Sequence, residues 1–289
     1  MVSEKTVTFD SIIVKSNDLT LRGIKHGDKT QQTILALHGW QDNCHSFIPL
    51  FNFLTEYQCY AFDFPGHGLS DWRHSSAHYY LTEYVDDVLN MIKNEIKEPI
   101  HLVGHSMGAM VATLFTACFP EKVKSLTLID GIGFVTTAAN KSSQQLRQAL
   151  ENRSRLHNKP AKIFQDLESL ILMRMQVSDL NKENSELIMQ RNCIPINNGV
   201  KLSIDPKLKL ASAFRFCDEQ AHEICKSIPH NVHVVLASSN SAGFSEKYAE
   251  YVKDFNAITR YDLDGCHHCH MEQPQRLAAI LRQIVALAS

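Results

Sequence analysis

The stretch Ile100-His101-Leu102-Val103-Gly104-His105-Ser106-Met107-Gly108-Ala109-Met110 decides how the rest of the chain is read. An apolar run ends at Gly104, and residues 107–119 are small and apolar over the length of a helix. Between them lies Gly-x-Ser-x-Gly, the pattern that sets a serine on a tight strand-to-helix turn. Gly104 and Gly108 flank Ser106 because a strained apex leaves no room for bulk two positions away on either side. The helix that follows aims free backbone N–H groups at any oxyanion formed over the serine. The five-residue pattern is common by chance, and its place between strand and helix is what gives it weight.

Working outward, strand and helix signals alternate on both sides. Residues 33–37 are a buried-strand run ending in His38-Gly39-Trp40, and residues 44–54 have helical spacing. Residues 57–62 form the next strand, ending in the Gly/Pro-rich turn that begins Asp63-Phe64-Pro65-Gly66-His67-Gly68. Residues 81–96 have helical period with Thr82 as N-cap, and the strand at 123–129 ends in Asp130-Gly131. At the N-terminus, residues 7–15 and 19–26 are β-rich runs around the turn Ser16-Asn17-Asp18, an antiparallel hairpin at a sheet edge. Alternation of this kind means βαβ units and a parallel sheet, with ligands at the carboxyl ends of the strands. His38-Gly39-Trp40, Asp63, Ser106 and Asp130 therefore share one edge.

Alternation stops after Gly133. Residues 134–214 are helix-like and rich in Gln, Leu, Arg, Lys and Asn, too long for a loop, and read as a helical cap inserted after the sixth strand. The core then resumes over 215–289, with helices near 218–227, 246–254 and 273–288 and strands at 232–237 and 258–263. Arg147, Arg153, Arg155, Lys159 and Lys162 give the early cap a basic tendency, which suits a solvated helix face or a site for an acidic substrate. Met173 and Met175, with Leu170 and Leu172, suit either cap core or a pliable apolar pocket.

Composition narrows the classes. With 289 residues, 44% hydrophobic and 21% charged, the chain has the profile of a globular protein with a sizeable core. A net charge of −2 argues against nucleic acid or an acidic membrane surface as main partner. No apolar run reaches the length of a membrane span, and Met1-Val2-Ser3-Glu4-Lys5-Thr6 leads into no signal-peptide core. Eight cysteines stand singly apart from Cys266 and Cys269, so free thiols in a reducing cytoplasm are expected.

Three motifs in this order, His38-Gly39-Trp40, Gly104-His105-Ser106-Met107-Gly108 and Asp264-Gly265-Cys266-His267-His268-Cys269-His270-Met271-Glu272-Gln273-Pro274, resemble those of the α/β-hydrolase superfamily, and within it the serine hydrolase-like proteins. The resemblance spans nearly the whole chain. It implies a mostly parallel eight-stranded sheet flanked by helices, with a helical cap. It also implies Ser106 as nucleophile, His267 as catalytic histidine, and an oxyanion hole of the Trp40 and Met107 N–H groups. His267 stands five residues before Glu272 and seven before Pro274, the family's offsets; His268 is the one-residue alternative, and His270 matches a structural histidine.

The triad acid usually follows the seventh strand of the sheet, where Asn240 stands here. Asparagine cannot stabilise an imidazolium as a carboxylate does. The family's alternative is an acid after the sixth strand, where Asp130 stands; Glu246, Glu250 or a weakened triad are the competing readings. His38, His67, His105 and Asp63 fit turn geometry and packing.

Cys266 and Cys269 have metal-like spacing without a second ligand pair, so neither metal nor cofactor is expected. The expected activity is hydrolysis of a small to medium ester or thioester through an acyl-enzyme. Carbon–carbon bond hydrolysis, cofactor-free haloperoxidase chemistry, and ligand binding with little turnover are the alternatives. The expected partner is a small acyl substrate, with a homodimer left open.

Overall fold

The computed structural model describes residues 7–96, 99–156, 162–239 and 242–288. Eight strands form the main sheet: β1 (Asp10–Ser16), β2 (Leu19–His26), β3 (Thr33–Leu37), β4 (Gln58–Phe62), β5 (Ile100–His105), β6 (Val123–Ile129) and, later in the chain, β10 (Asn231–Ala237) and β11 (Ala257–Leu263). Their order is β1-β2-β4-β3-β5-β6-β10-β11, and β1 with β2 and β2 with β4 are the antiparallel pairs. Central strands β3, β4 and β5 are buried at every position, as expected of a sheet covered on both faces.

Helices α2 (Leu81–Glu95), α3 (Met107–Cys118) and α7 (Asp218–Lys226) cover one face, burying Val88, Met91, Ala112, Phe115 and Cys225 against Leu35, Leu102 and Leu126. Short α1 (Ile48–Phe51) and the C-terminal α10 (Pro274–Leu287) cover the other, with Leu50, Phe51, Leu277, Leu281 and Ile284 against Ile34, Ala36 and Val235. The apolar positions of α10 recur every three or four residues, so a single stripe faces the sheet. Two further helices, α8 (Ala242–Tyr251) and α9 (Cys269–Glu272), flank β11 in the sequence.

Between β6 and β10 lies an inserted segment with three helices, α4 (Ser142–Leu156), α5 (Leu167–Val177) and α6 (Lys182–Arg191). It is not purely helical, contrary to the sequence reading. Strands β7 (Ile163–Phe164), β8 (Cys193–Ile196) and β9 (Gly199–Leu202) form a small antiparallel sheet in the order β7-β9-β8. Strands of two to four residues are too short to show alternation, and Pro195 hides one of them further.

Two other expectations shift. The helix expected over 44–54 is a 3₁₀ turn at Cys44–Phe47 running into α1. Thr82 lies inside α2, whose N-cap is extended Tyr80; the Tyr80 carbonyl accepts from the N–H groups of Glu83 and Tyr84.

Candidate active site

The site begins with a close approach of backbones. A Cβ on Gly108 would lie 2.1 Å from the Leu37 carbonyl oxygen, and one on Gly104 would lie 2.4 Å from that of Gly108. Glycine at both positions lets α3 start immediately against β3 and β5. The turn between is sharp: Ser106 has φ 52° and ψ −113°, a left-handed conformation that costs a non-glycine residue about 1–3 kcal/mol. The adjacent β6 ends in the same way, with Asp130 at φ 44°. His105 is paired with Ile129 across β5 and β6, so Ser106 and Asp130 are the next residues on neighbouring strands.

Asp130 is 2% exposed and its carboxylate is fully engaged. Oδ1 accepts from the Ala237 N–H at 3.1 Å, and Oδ2 accepts from Nδ1 of His267 at 2.6 Å. A proton held on Nδ1 leaves Nε2 of that imidazole as a base. His267 is about half exposed and lines a cavity of about 580 Å³ together with Ser106, Gly39 and Trp40. Ser106 and Trp40, with Lys209, also line a second cavity of about 600 Å³. The serine thus stands where two chambers meet. Met107 is the first residue of α3, where an N–H has no acceptor within its own helix. Trp40 follows directly on Gly39, and its indole N–H donates to the Leu208 carbonyl at 2.9 Å, tying the inserted segment to the site.

The structure therefore brings together Ser106, His267, Asp130, Trp40 and Met107. Asn240 lies outside the described residues, as does Lys159. Glu250 is 3.4 Å from His222, and Glu246 is exposed. The bystander histidines have packing roles. The Phe64 N–H donates to Nε2 of His38, His67 packs against His38, and His270 is wholly buried beside Phe47. Burial pushes His67 down to about 3 and His270 well below its ordinary range, so both are neutral at pH 7. Asp63 organises its loop, accepting from the Cys44 and Leu69 N–H groups and from Arg191 of α6.

A network that the sequence did not reveal lies beside the site. Asp42 accepts from Arg174 of α5 at 2.6 Å, and its other oxygen lies 3.2 Å from Nε2 of His268 and 3.6 Å from Nδ1 of His105. Burial opposes ionisation of Asp42, but His268 and Arg174 beside its two oxygens outweigh it and hold the carboxyl well below the usual range. Burial, opposed by Asp42, lowers His105 to about 4; its Nε2–H donates to the His267 carbonyl at 2.8 Å. No local spacing links positions 42, 105, 174 and 268, so only the fold could show this cluster.

Among the described residues, Asp42, His105 and His268 are the one group of three close enough to chelate a metal. The Arg174 guanidinium already lies against both Asp42 and His268 (2.6 and 3.3 Å), so the cluster has a resident cation and suits an ion-pair network better than a metal. Cys266, the other candidate, donates to Glu272, whose carboxylate also accepts from the Cys266 N–H at 2.7 Å. No described helix is long and apolar enough to cross a membrane.

Comparison with known proteins agrees with this architecture. Residues 32–168 match the family model of the α/β hydrolase fold. A serine hydrolase-like protein of Danio rerio is 24% identical over 90% of this chain and 83% of its own length. A solved hypothetical protein of Pseudomonas aeruginosa PAO1 superposes with a TM-score of 0.88 at 31% identity, covering 94% of this chain and 99% of that one. The thioesterase domain from the curacin biosynthetic pathway shares the fold, with a TM-score of 0.84 at 24% identity, covering 96% of this chain and 99% of that one. The chain belongs to the α/β-hydrolase superfamily and resembles its serine hydrolase-like proteins.

Proposed function

We propose that this hydrolase cleaves a carboxylic ester or thioester through an acyl-enzyme on Ser106, beneath a cap formed by residues 134–214. The observation that carries the reading is the 2.6 Å bond from His267 to buried Asp130, with Ser106 lining the same cavity as His267. His267 takes the Ser106 proton as Oγ attacks the acyl carbon, then delivers it to the leaving oxygen or sulfur as the acyl bond breaks. Water, deprotonated by the same imidazole, attacks the acyl-serine; the acid departs and Ser106 regains its proton. Asp130 keeps the imidazole in the working tautomer. The Trp40 and Met107 N–H groups receive the oxyanion, and losing one such donor typically costs about a hundredfold or more.

Labelling by a fluorophosphonate probe tests this directly. Labelling of the native chain that is lost in both Ser106→Ala and His267→Ala supports the mechanism. Undiminished labelling in Ser106→Ala would place the reactive group elsewhere. Absence of labelling together with absence of ester turnover would favour a ligand-binding protein.

A further inference from the structure

The two chambers that meet at Ser106 are not equivalent. His267 lines the smaller one and is absent from the lining of the larger. In ester cleavage the leaving atom must lie within hydrogen-bond reach of the imidazole that protonates it. The leaving group therefore departs on the His267 side, and the acyl group occupies the larger chamber of about 600 Å³.

The body of that chamber is apolar, with Met110, Phe134, Phe214 and Phe216 among its walls. Its charged lining is of one sign: Arg153, Lys207, Lys209 and Arg215, with neither Asp nor Glu among the lining residues. Lys207 is partly compensated, lying 3.6 Å from Asp205 and donating to three backbone carbonyls. Among the described residues Arg153 has no such partner: its guanidinium donates to His78 Nε2 at 2.7 Å and to the Ser75 carbonyl at 2.8 Å, both neutral acceptors. Among the described residues Arg215 and Lys209 have no carboxylate partner. Cations left without counter-charge at the wall of an apolar chamber raise the local concentration of anions and pair strongly with a carboxylate, which guanidinium binds in a two-point fork.

Resting on the serine-hydrolase reading above, we infer that the preferred acyl group is an aliphatic chain ending in a carboxylate, so that the substrate is a monoester or monothioester of a dicarboxylic acid. The acyl carbon sits over Ser106, the methylenes lie along the aromatic wall, and the free carboxylate meets Arg215 and Arg153. The same cations act on a neighbour: burial first, then Arg153 and Lys207, lower His78 from its ordinary range.

The test is a matched pair of esters with one leaving group, p-nitrophenyl hexanoate and mono-p-nitrophenyl adipate, over 20–500 mM NaCl. The expected result is a kcat/KM ratio of at least tenfold in favour of the adipate ester at low salt, shrinking as salt rises. That ratio falls about tenfold or more in Arg215→Gln combined with Arg153→Gln. A ratio near one in the native protein, or a ratio unchanged in the variant, overturns the proposal. So does a preference that follows an anionic leaving group when the acyl part is neutral. Calorimetry on Ser106→Ala gives an arm independent of turnover: adipate should bind at least tenfold tighter than hexanoate, and equal binding overturns the inference. Hydrolysis of the neutral ester with fluorophosphonate labelling but no carboxylate preference would sink this inference alone. Loss of labelling would sink the mechanism instead.

Discussion

Replacing Asp130 by asparagine should be the most damaging conservative change available to this site. The Ala237 N–H donates to Oδ1 of Asp130 at 3.1 Å, and both groups are buried. The asparagine oxygen must therefore stay on that N–H, since an unsatisfied buried donor costs about 1–3 kcal/mol. Its NH₂ is then left where Oδ2 now lies, 2.6 Å from Nδ1 of His267. A donor in that place makes Nδ1 an acceptor and moves the imidazole proton to Nε2, the atom that must accept the Ser106 proton. The expected loss is about 10⁴ in kcat, equivalent to about 5.4 kcal/mol of transition-state stabilisation, with the packing kept. Stopped-flow hydrolysis of a p-nitrophenyl ester measures it, alongside the rate of fluorophosphonate labelling, which should fall in parallel. A kcat within tenfold of native, in a protein that melts normally, would refute the reasoning; a large loss in Glu246→Gln or Glu250→Gln instead would relocate the acid.

Other consequences reach beyond the triad. Arg174→Met removes a cation from Asp42, whose side chain is 1% exposed, and should destabilise the fold by about 3–5 kcal/mol in urea unfolding. Because the folded Asp42 carboxyl lies below its unfolded value, its contribution is complete above about pH 4 and is lost as pH falls through the folded value. His67, His101 and His105 are lowered by burial to about 3, 4 and 4, so they stay neutral when folded and take up protons when unfolded below about pH 6.5. Together they should make unfolding free energy rise with pH between about 4 and 6.5, by up to about 4 kcal/mol per pH unit; a flat profile there would contradict their burial. Gly108→Ala places a methyl 2.1 Å from a backbone oxygen and should cost about 1–3 kcal/mol, with esterase activity falling as α3 is pushed off β3; a variant with native melting and native rate would refute it.

The main sheet was legible because its central strands are buried at every position and read as mostly apolar runs, and because its turns carry Gly and Pro. The elbow was legible because two backbone approaches admit only glycine at 104 and 108. The inserted segment was read less well. Its strands are as short as two residues, and the surfaces it buries belong to distant parts of the chain, as with Arg191 on Asp63 and Trp72 on the Ser203 carbonyl. The same reason hid the Asp42 network, assembled from four positions across more than 200 residues. Local spacing carries no information about such meetings. The basic lining of the larger chamber was half visible, in Arg153; Lys207 lies near the far end of the insertion and Arg215 just past it, in a stretch with no sequence signal of facing the site.

Ser106 and Asp130 cap adjacent, hydrogen-bonded strands, whereas His267 is carried on the loop before α9. Two members of the proposed triad are thus spaced by the strand ladder, which every homologous fold must keep, and one by a connection free to vary in length. Over evolutionary time such a site should drift in one coordinate only. Insertions after β10 would be neutral for the acid, which frees that loop to diversify, while changes in residues 264–268 would tune or silence activity without unfolding the protein. A laboratory library spread over both loops would show this as sharply unequal tolerance.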